Sequence, residues 1–194
     1  MINILEKLQA TNPKVGDITF IAVDGHGGSG KSTLAKLLAQ KLNAEVIRTD
    51  DFANWDNTYD WWPTVVEKVF QPILGGSKKL TYQPSSWWKD HHPKEVSNQP
   101  VTNIMILEGM SSARNELQDY ISLSIFVDTP KHICLVRGVA RDAENGKDKE
   151  ELAILWEKWL AEEDVYLKRD NPKEKANIVV DGTKSFEEQI SFVV

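Results

Sequence analysis

The chain has 194 residues, 41% of them hydrophobic, which is enough for one well-buried domain and short for two, so residues 1–194 are expected to form a single domain. A net charge of −6 and a pI near 5.3 argue against duplex nucleic acid as a partner, because a duplex binder carries a basic face that neutralises phosphates. The single cysteine, Cys134, excludes an internal disulfide framework, and no apolar run approaches the ~18 residues of a membrane span.

In chain order, residues 1–10 place Glu6 and Lys7 among leucines, which predicts a short amphipathic helix without the uninterrupted apolar core of a signal peptide, and hence a cytoplasmic protein. Residues 18–23 are apolar and β-branched enough for a buried strand. They run into Gly25-His26-Gly27-Gly28-Ser29-Gly30-Lys31-Ser32, which fits the phosphate-binding pattern G-x-x-x-x-G-K-[ST]. The residues that follow put Leu34, Leu37, Leu38 and Leu42 on one helical face, so a helix is predicted over 32–42 and the motif falls at a strand-to-helix turn. A second strand is predicted over 45–49, a helix over 63–74, and further strands over 104–107, 122–127 and 177–180. Helices are predicted over 131–144 and 149–168, with a short closing helix over 186–192. Residues 83–99 show no sustained period and read as a loop or insert beside the sheet. Alternating strands and helices predict a parallel sheet with helices on both faces.

Glycines at this turn let the chain wind around an anion with successive N–H groups facing inward, and the helix N-terminus adds positive potential. Residues Gly25 to Thr33 are therefore assigned to nucleoside triphosphate, with Lys31 reaching the β- and γ-phosphates and Ser32 a Mg²⁺ ligand. The alternative is a glycine-rich turn with no ligand. In open parallel α/β sheets ligands lie beyond the carboxyl ends of the strands, and there the chain is acidic: Asp24, Asp50-Asp51, Glu108 and Asp128. Each could be a solvated turn residue, but together they converge on the phosphate site. A carboxylate about 3 Å from an attacking hydroxyl aligns it and takes its proton, which Asp50 or Asp51 can do. Glu108 suits an outer-sphere Mg²⁺ or water ligand beside Ser32, and Asp24 could share that duty.

Arg137 and Arg141 are four apart on a predicted helix and share a face, with Asp142 able to orient Arg141. They read as a cationic lid over about 137–150, or as an ordinary basic helix face. Five of the seven tryptophans, Trp55, Trp61, Trp62, Trp87 and Trp88, fall with Tyr59, Tyr82, His91 and His92 between the second and third strands. They can line an acceptor pocket over about 52–100, in which we single out Asp51, Trp55, Tyr59, Trp61, Tyr82, Trp87 and His91, or form a satellite core under a long loop. Trp156 and Trp159 read as packing residues.

The ordered set Gly25 to Ser32, Thr49-Asp50-Asp51-Phe52, Leu107-Glu108-Gly109, Val136-Arg137-Gly138-Val139-Ala140-Arg141-Asp142, and Tyr166 to Pro172 before Ala176-Asn177-Ile178-Val179-Val180 resembles the uridine kinase-like branch of P-loop kinases. The resemblance spans residues 17 to 182 and shares features with pantothenate kinase and phosphoribulokinase. It implies a three-layer α/β fold with five parallel strands in the order 2-3-1-4-5. It further implies transfer of the γ-phosphate of MgATP to a hydroxyl, Asp50 as the base, and lid arginines at Arg137 and Arg141. Three positions depart from the pattern: in Glu144-Asn145-Gly146-Lys147, where uridine kinases carry Glu-Arg-Gly-Arg, Asn145 and Lys147 replace arginines, and Ala53 replaces a tyrosine. The leading reading is a kinase for a nucleoside, uridine- or cytidine-like, or another small acceptor such as pantothenate, a vitamin or a polyol. A nucleotide-controlled regulatory ATPase without an acceptor is the alternative, and neither the nucleobase preference nor the oligomeric state is legible.

Overall fold

The computed structural model describes residues 1–54, 58, 60–85, 96–144 and 148–193. Trp55, Asp56, Tyr59, Trp87, Trp88, His91, His92 and the lid residues Asn145, Gly146 and Lys147 lie outside the described residues. The chain begins with β1 (Ile2–Asn3) and α1 (Ile4–Gln9), the latter capped by the Asn3 side chain, which accepts from the Leu5 and Glu6 amides. Next come β2 (Thr19–Asp24), α2 (Lys31–Leu42), β3 (Glu45–Arg48) and a 3₁₀ turn at Thr49–Asp51. α3 (Trp62–Val65), a π-helical stretch at Val66–Phe70 and α4 (Gln71–Leu74) then run on without a break. The π turn precedes Pro72, whose ring crowds the carbonyl four residues back and which has no N–H to offer it.

β4 (Lys79–Tyr82) and β5 (Ser97–Pro100) form an antiparallel pair not expected from the sequence, β4 just before the aperiodic stretch 83–99 and β5 at its end. β6 (Ile104–Glu108), β7 (Leu123–Asp128), α5 (Lys131–Ala143), α6 (Lys149–Asp170), α7 (Pro172–Lys175), β8 (Ile178–Asp181) and β9 (Ile190–Ser191) complete the chain. The main sheet is five-stranded and parallel, in the order β3-β6-β2-β7-β8. Counted along the chain, this is the order 2-3-1-4-5.

Because the sheet is covered on both sides, β2 reads as a continuous apolar run rather than an alternation. Phe20 and Ala22 point into one core with Met105, Leu107, Trp61 and Phe70. Ile21 and Val23 point into the other with Leu34, Leu38, Ile106 and Ile125. The register aligns Val23 and Arg48 with Glu108, and Asp24 with Phe126, so the polar residues at the strand ends gather along one edge of the sheet.

The closing helix expected over 186–192 is not formed. Phe186 and Ile190 are four apart, which mimics a helical period, but the chain makes one turn, with the Ile190 amide donating to the Phe186 carbonyl at 2.8 Å. It then pairs as β9 alongside β1, Ile190 opposite Ile2. No helix among the described residues is long and apolar enough to cross a membrane.

Candidate active site

The phosphate loop leaves β2 and closes onto α2 at Gly30, which holds φ 106° at the helix N-cap. Gly28 is the tightest point: its φ is +76°, and a Cβ there would lie 2.4 Å from the Cys134 carbonyl oxygen. That conformation favours glycine, and the contact is with backbone that cannot step aside. Gly28→Ala is therefore expected to lower the unfolding free energy by about 1–3 kcal/mol and to weaken ATP binding. Urea unfolding and equilibrium dialysis of ATP check both, and unchanged values would show that the loop tolerates the methyl group.

A cavity of about 760 Å³ opens above the loop, within the range of small-molecule sites. Gly27, Gly28, Gly30, Lys31, Ser32 and Thr33 line it, while Gly25 and Ser29 are buried. Lys31, only 7% exposed, bonds its ammonium back to the His26 carbonyl at 2.7 Å. Ser32 Oγ donates to Glu108 Oε1 at 3.0 Å, joining the first turn of α2 to the end of β6. Burial pushes the Glu108 carboxyl above the usual glutamate range, against the pull of Lys31 and of the Ser32 hydroxyl.

Asp50, on the 3₁₀ turn after β3, is exposed and lines the same cavity, as do Arg137 and Arg141 of α5. Arg137 Nη1 donates to the Gly182 carbonyl at 2.9 Å, and Arg141 Nε donates to Asp142 Oδ1 at 2.8 Å. Four groups expected from the sequence are thus brought together around the phosphate loop: Asp50, Glu108, Arg137 and Arg141.

Others are not. Tyr82 is a core residue, 4.9 Å from the Phe52 ring, and its hydroxyl donates to Asp51 Oδ2 at 3.2 Å. Burial raises that phenol to about 12, with the Asp51 charge adding to the effect. Neither Tyr82 nor Asp51 is among the residues lining the cavity. Trp61 borders the cavity and is 1% exposed, packed in the main core with Phe20, Met105 and Phe70 rather than in a satellite cluster. Asp24 is buried and fully engaged: Gly25 and Ser111 amides donate to Oδ1 at 2.7 and 3.1 Å, and the Ala113 amide and the Tyr166 hydroxyl donate to Oδ2 at 2.9 and 2.6 Å. It is not among the residues lining the cavity. Trp55, Tyr59, Trp87 and His91 are outside the described residues.

The sequence reading missed what α6 brings. Leu152, Trp156 and Leu160 form the start of its buried face, and the same face continues as Glu163, Tyr166 and Asp170. Glu163 accepts from His26 Nδ1 at 2.7 Å and from the Gly27 amide at 3.1–3.2 Å, so the His26 ring turns toward α6. Asp170 accepts from the Asn115 amide at 2.9 Å. The helix is thus stitched to the phosphate loop, to the end of β2 and to the segment after β6. The legible signal was polar residues continuing an apolar stripe at spacings of three and four.

A buried cation was missed as well. Arg114 is 1% exposed, with its guanidinium carbon 5.8 and 5.9 Å from the Trp61 and Trp62 rings. Its Nε donates to Glu116 Oε2 at 2.9 Å, and that bond holds the Glu116 carboxyl down at about 2.

A glycine-rich loop at the carboxyl edge of a parallel 2-3-1-4-5 sheet, facing a carboxylate and two arginines across one cavity, defines a P-loop kinase of the nucleoside and small-molecule kind. A model of the phosphoribulokinase / uridine kinase family matches residues 76–185, more than half of the chain, and the chain belongs to that family, whose members are phosphotransferases acting on a hydroxyl group.

The uridine kinase of Tolumonas auensis is 27% identical over 172 residues, which cover 76% of this chain and 78% of that protein. The uridine kinase of Schizosaccharomyces pombe is 26% identical over 146 residues, 64% of this chain, and the match spans only 32% of that longer protein. A structure described as a possible uridine kinase from Bacillus stearothermophilus superposes with a TM-score of 0.61 over 84% of this chain and 89% of that one, at 19% identity, a likeness of fold.

Proposed function

We propose that the protein transfers the γ-phosphoryl group of MgATP to a hydroxyl of a nucleoside, uridine- or cytidine-like, or of a similar small acceptor. The observation that carries this reading is Asp50, an exposed carboxylate in the same cavity as Lys31, Ser32 and Glu108. The acceptor oxygen attacks the γ-phosphorus, a new O–P bond forms as the bond to the β–γ bridging oxygen breaks, and ADP leaves with that electron pair. Asp50 aligns the hydroxyl and takes its proton, then passes it to solvent. Lys31, Arg137 and Arg141 meet the negative charge on the transferring group. We read residues 1–194 as one domain, with an acceptor segment over about 52–100 and a lid over about 137–150.

Mg²⁺ fits the residues present. Among the described residues no group of three His, Cys, Asp or Glu side chains could cage a metal, and Mg²⁺ characteristically keeps waters and shares itself between one or two protein groups and substrate phosphates. The Ser32 hydroxyl and the Glu108 carboxylate, 3.0 Å apart, are the protein groups that would hold it and its waters. Bound there it neutralises charge on the phosphates. Glu108→Gln is expected to raise the Mg²⁺ concentration for half-maximal rate about tenfold or more. An unchanged Mg²⁺ titration would remove Glu108 from this role.

The test of the reading is acceptor-dependent ADP release from MgATP across a panel of nucleosides, pantothenate, small sugars and vitamins, with Asp50→Asn beside the wild type. Stimulation by one acceptor, lost in the variant, supports the kinase and names its substrate. Slow acceptor-independent hydrolysis alone would point to a nucleotide-controlled regulatory protein.

A further inference from the structure

The side chain of Arg141 is 64% exposed, and a guanidinium on an open helix face has many rotamers to lose before it can meet a phosphoryl group. What limits it is a closed arrangement of three side chains. Arg141 Nε donates to Asp142 Oδ1 at 2.8 Å, and the other oxygen of that carboxylate accepts from the indole Nε1–H of Trp156 at 2.9 Å. The same indole presents its face to the guanidinium, with Arg141 Cζ 5.4 Å from the ring centroid.

Trp156 is firmly seated. It is 3% exposed, packs with Cys134 and Leu160, and meets the Trp159 ring edge-on at 5.5 Å. It also fills the space left by two glycines: a Cβ on Gly138 would lie 2.5 Å from the indole, and one on Gly27 of the phosphate loop 2.8 Å. A single residue of α6 therefore touches the phosphate loop, the helix that carries Arg141, and the carboxylate that orients it. Packing alone would require the ring. The Nε1–H is a donor and nothing else, and here it is spent on a carboxylate whose second oxygen holds a cation of the site.

We propose that Trp156 is a positioning residue for phosphoryl transfer: through Asp142 and through its ring face it fixes the Arg141 guanidinium relative to the phosphate loop. The proposal rests on the reading of Arg141 as a cation that meets the transferring group. It assigns to the indole N–H a part in turnover that the neighbouring packing residues Cys134 and Leu160 do not have.

The test is a double-mutant cycle in single-turnover phosphoryl transfer from MgATP, read both to the fastest acceptor of the panel and to water, which needs no acceptor. Trp156→Phe keeps a ring and removes the N–H, and Arg141→Ala removes the cation. Trp156→Phe is expected to slow transfer about tenfold with the ATP KM within about twofold, Arg141→Ala about 10²-fold, and the double variant no further than Arg141→Ala alone. Asp142→Asn, which leaves the core untouched, is expected to show the same loss and the same absence of further effect in the Arg141→Ala background. A double variant whose losses multiply, or single Trp156 and Asp142 variants that turn over at the wild-type rate, would overturn the positioning role. An Arg141→Ala enzyme as fast as wild type would instead sink the lid reading on which the proposal stands. A Trp156 that merely packs would lower the melting temperature equally in both backgrounds and slow transfer in both.

Discussion

Asp50→Asn is expected to lower kcat for acceptor phosphorylation by about 10²–10⁴-fold, the range that a positioned general base contributes. Asparagine keeps the size and can still accept a hydrogen bond from the acceptor hydroxyl, so the substrate is held, but its amide cannot take the proton. The loss should therefore fall on kcat, with the KM for ATP little changed, because the phosphate loop and Lys31 are untouched. Asp51→Asn is the control. That carboxylate accepts from the Tyr82 hydroxyl at 3.2 Å and is not among the residues lining the cavity, so its variant should turn over within about threefold of wild type. Steady-state kinetics on the acceptor found in the panel decide between them. If the larger loss appeared in Asp51→Asn, the base would be Asp51 and the cavity would have to open differently around the turn at Thr49–Asp51.

This choice between adjacent aspartates marks where sequence stops and structure begins. Each predicted strand of the main sheet lies within one residue of the observed one, because a buried parallel strand is a short apolar run with a polar stop, a signal that needs no knowledge of its neighbours. The strand order came only with the family resemblance. The errors fall where local period misleads. Phe186 and Ile190 imitate one face of a helix but are used by a turn and by β9, whose partner β1 is at the other end of the chain. β4 and β5 were missed because Ser97–Pro100 is polar and ends in proline, and the pair has only Leu80 and Tyr82 on its buried side.

At the site, the groups that a phosphate chemistry demands near the strand ends were legible: Lys31, Ser32, Asp50, Glu108, Arg137 and Arg141 all reach the cavity. The supporting groups were not. Trp156, Glu163, Tyr166 and Asp170 sit on a helix whose residues, read alone, divide into apolar packing and solvated charge. That this face crosses the phosphate loop follows from how α6 folds back on α5, which no single-helix pattern contains. Burial then changes the meaning of each residue: Glu163 is a ligand to the Gly27 amide rather than a surface charge, and Cys134, its thiol raised to about 11 by burial, is an inert core group.

Asp24→Ala should cost about 3–5 kcal/mol of unfolding free energy, more than a cavity of that size would. The carboxylate is 1% exposed, and its removal leaves three backbone N–H groups and the Tyr166 hydroxyl without their acceptor where water does not reach. Tyr166→Phe withdraws only one donor and should cost about 1–2 kcal/mol. Ser111 already holds a left-handed φ of 61° to aim its amide at this carboxylate, so the segment after β6 would relax with it.

The sign of the pH dependence follows from the same burial. Desolvation raises the Asp24 pKa above the aspartate value, while the hydrogen bond from Tyr166, the amides of Ala113 and Gly25, and the Lys31 charge oppose it. An acid whose folded pKa lies above its unfolded value favours the fold when protonated. Its contribution is complete below the unfolded pKa and is lost as pH rises through the raised one. Asp24→Asn, neutral at every pH, removes that slope, so urea midpoints of wild type and variant should converge or cross toward acid and separate toward neutral pH, with the variant gaining relative to wild type as pH rises. Parallel midpoints across that window would mean that the four donors hold Asp24 ionised as an ordinary aspartate, and that its grip on β2, α6 and the segment after β6 is a charged one throughout.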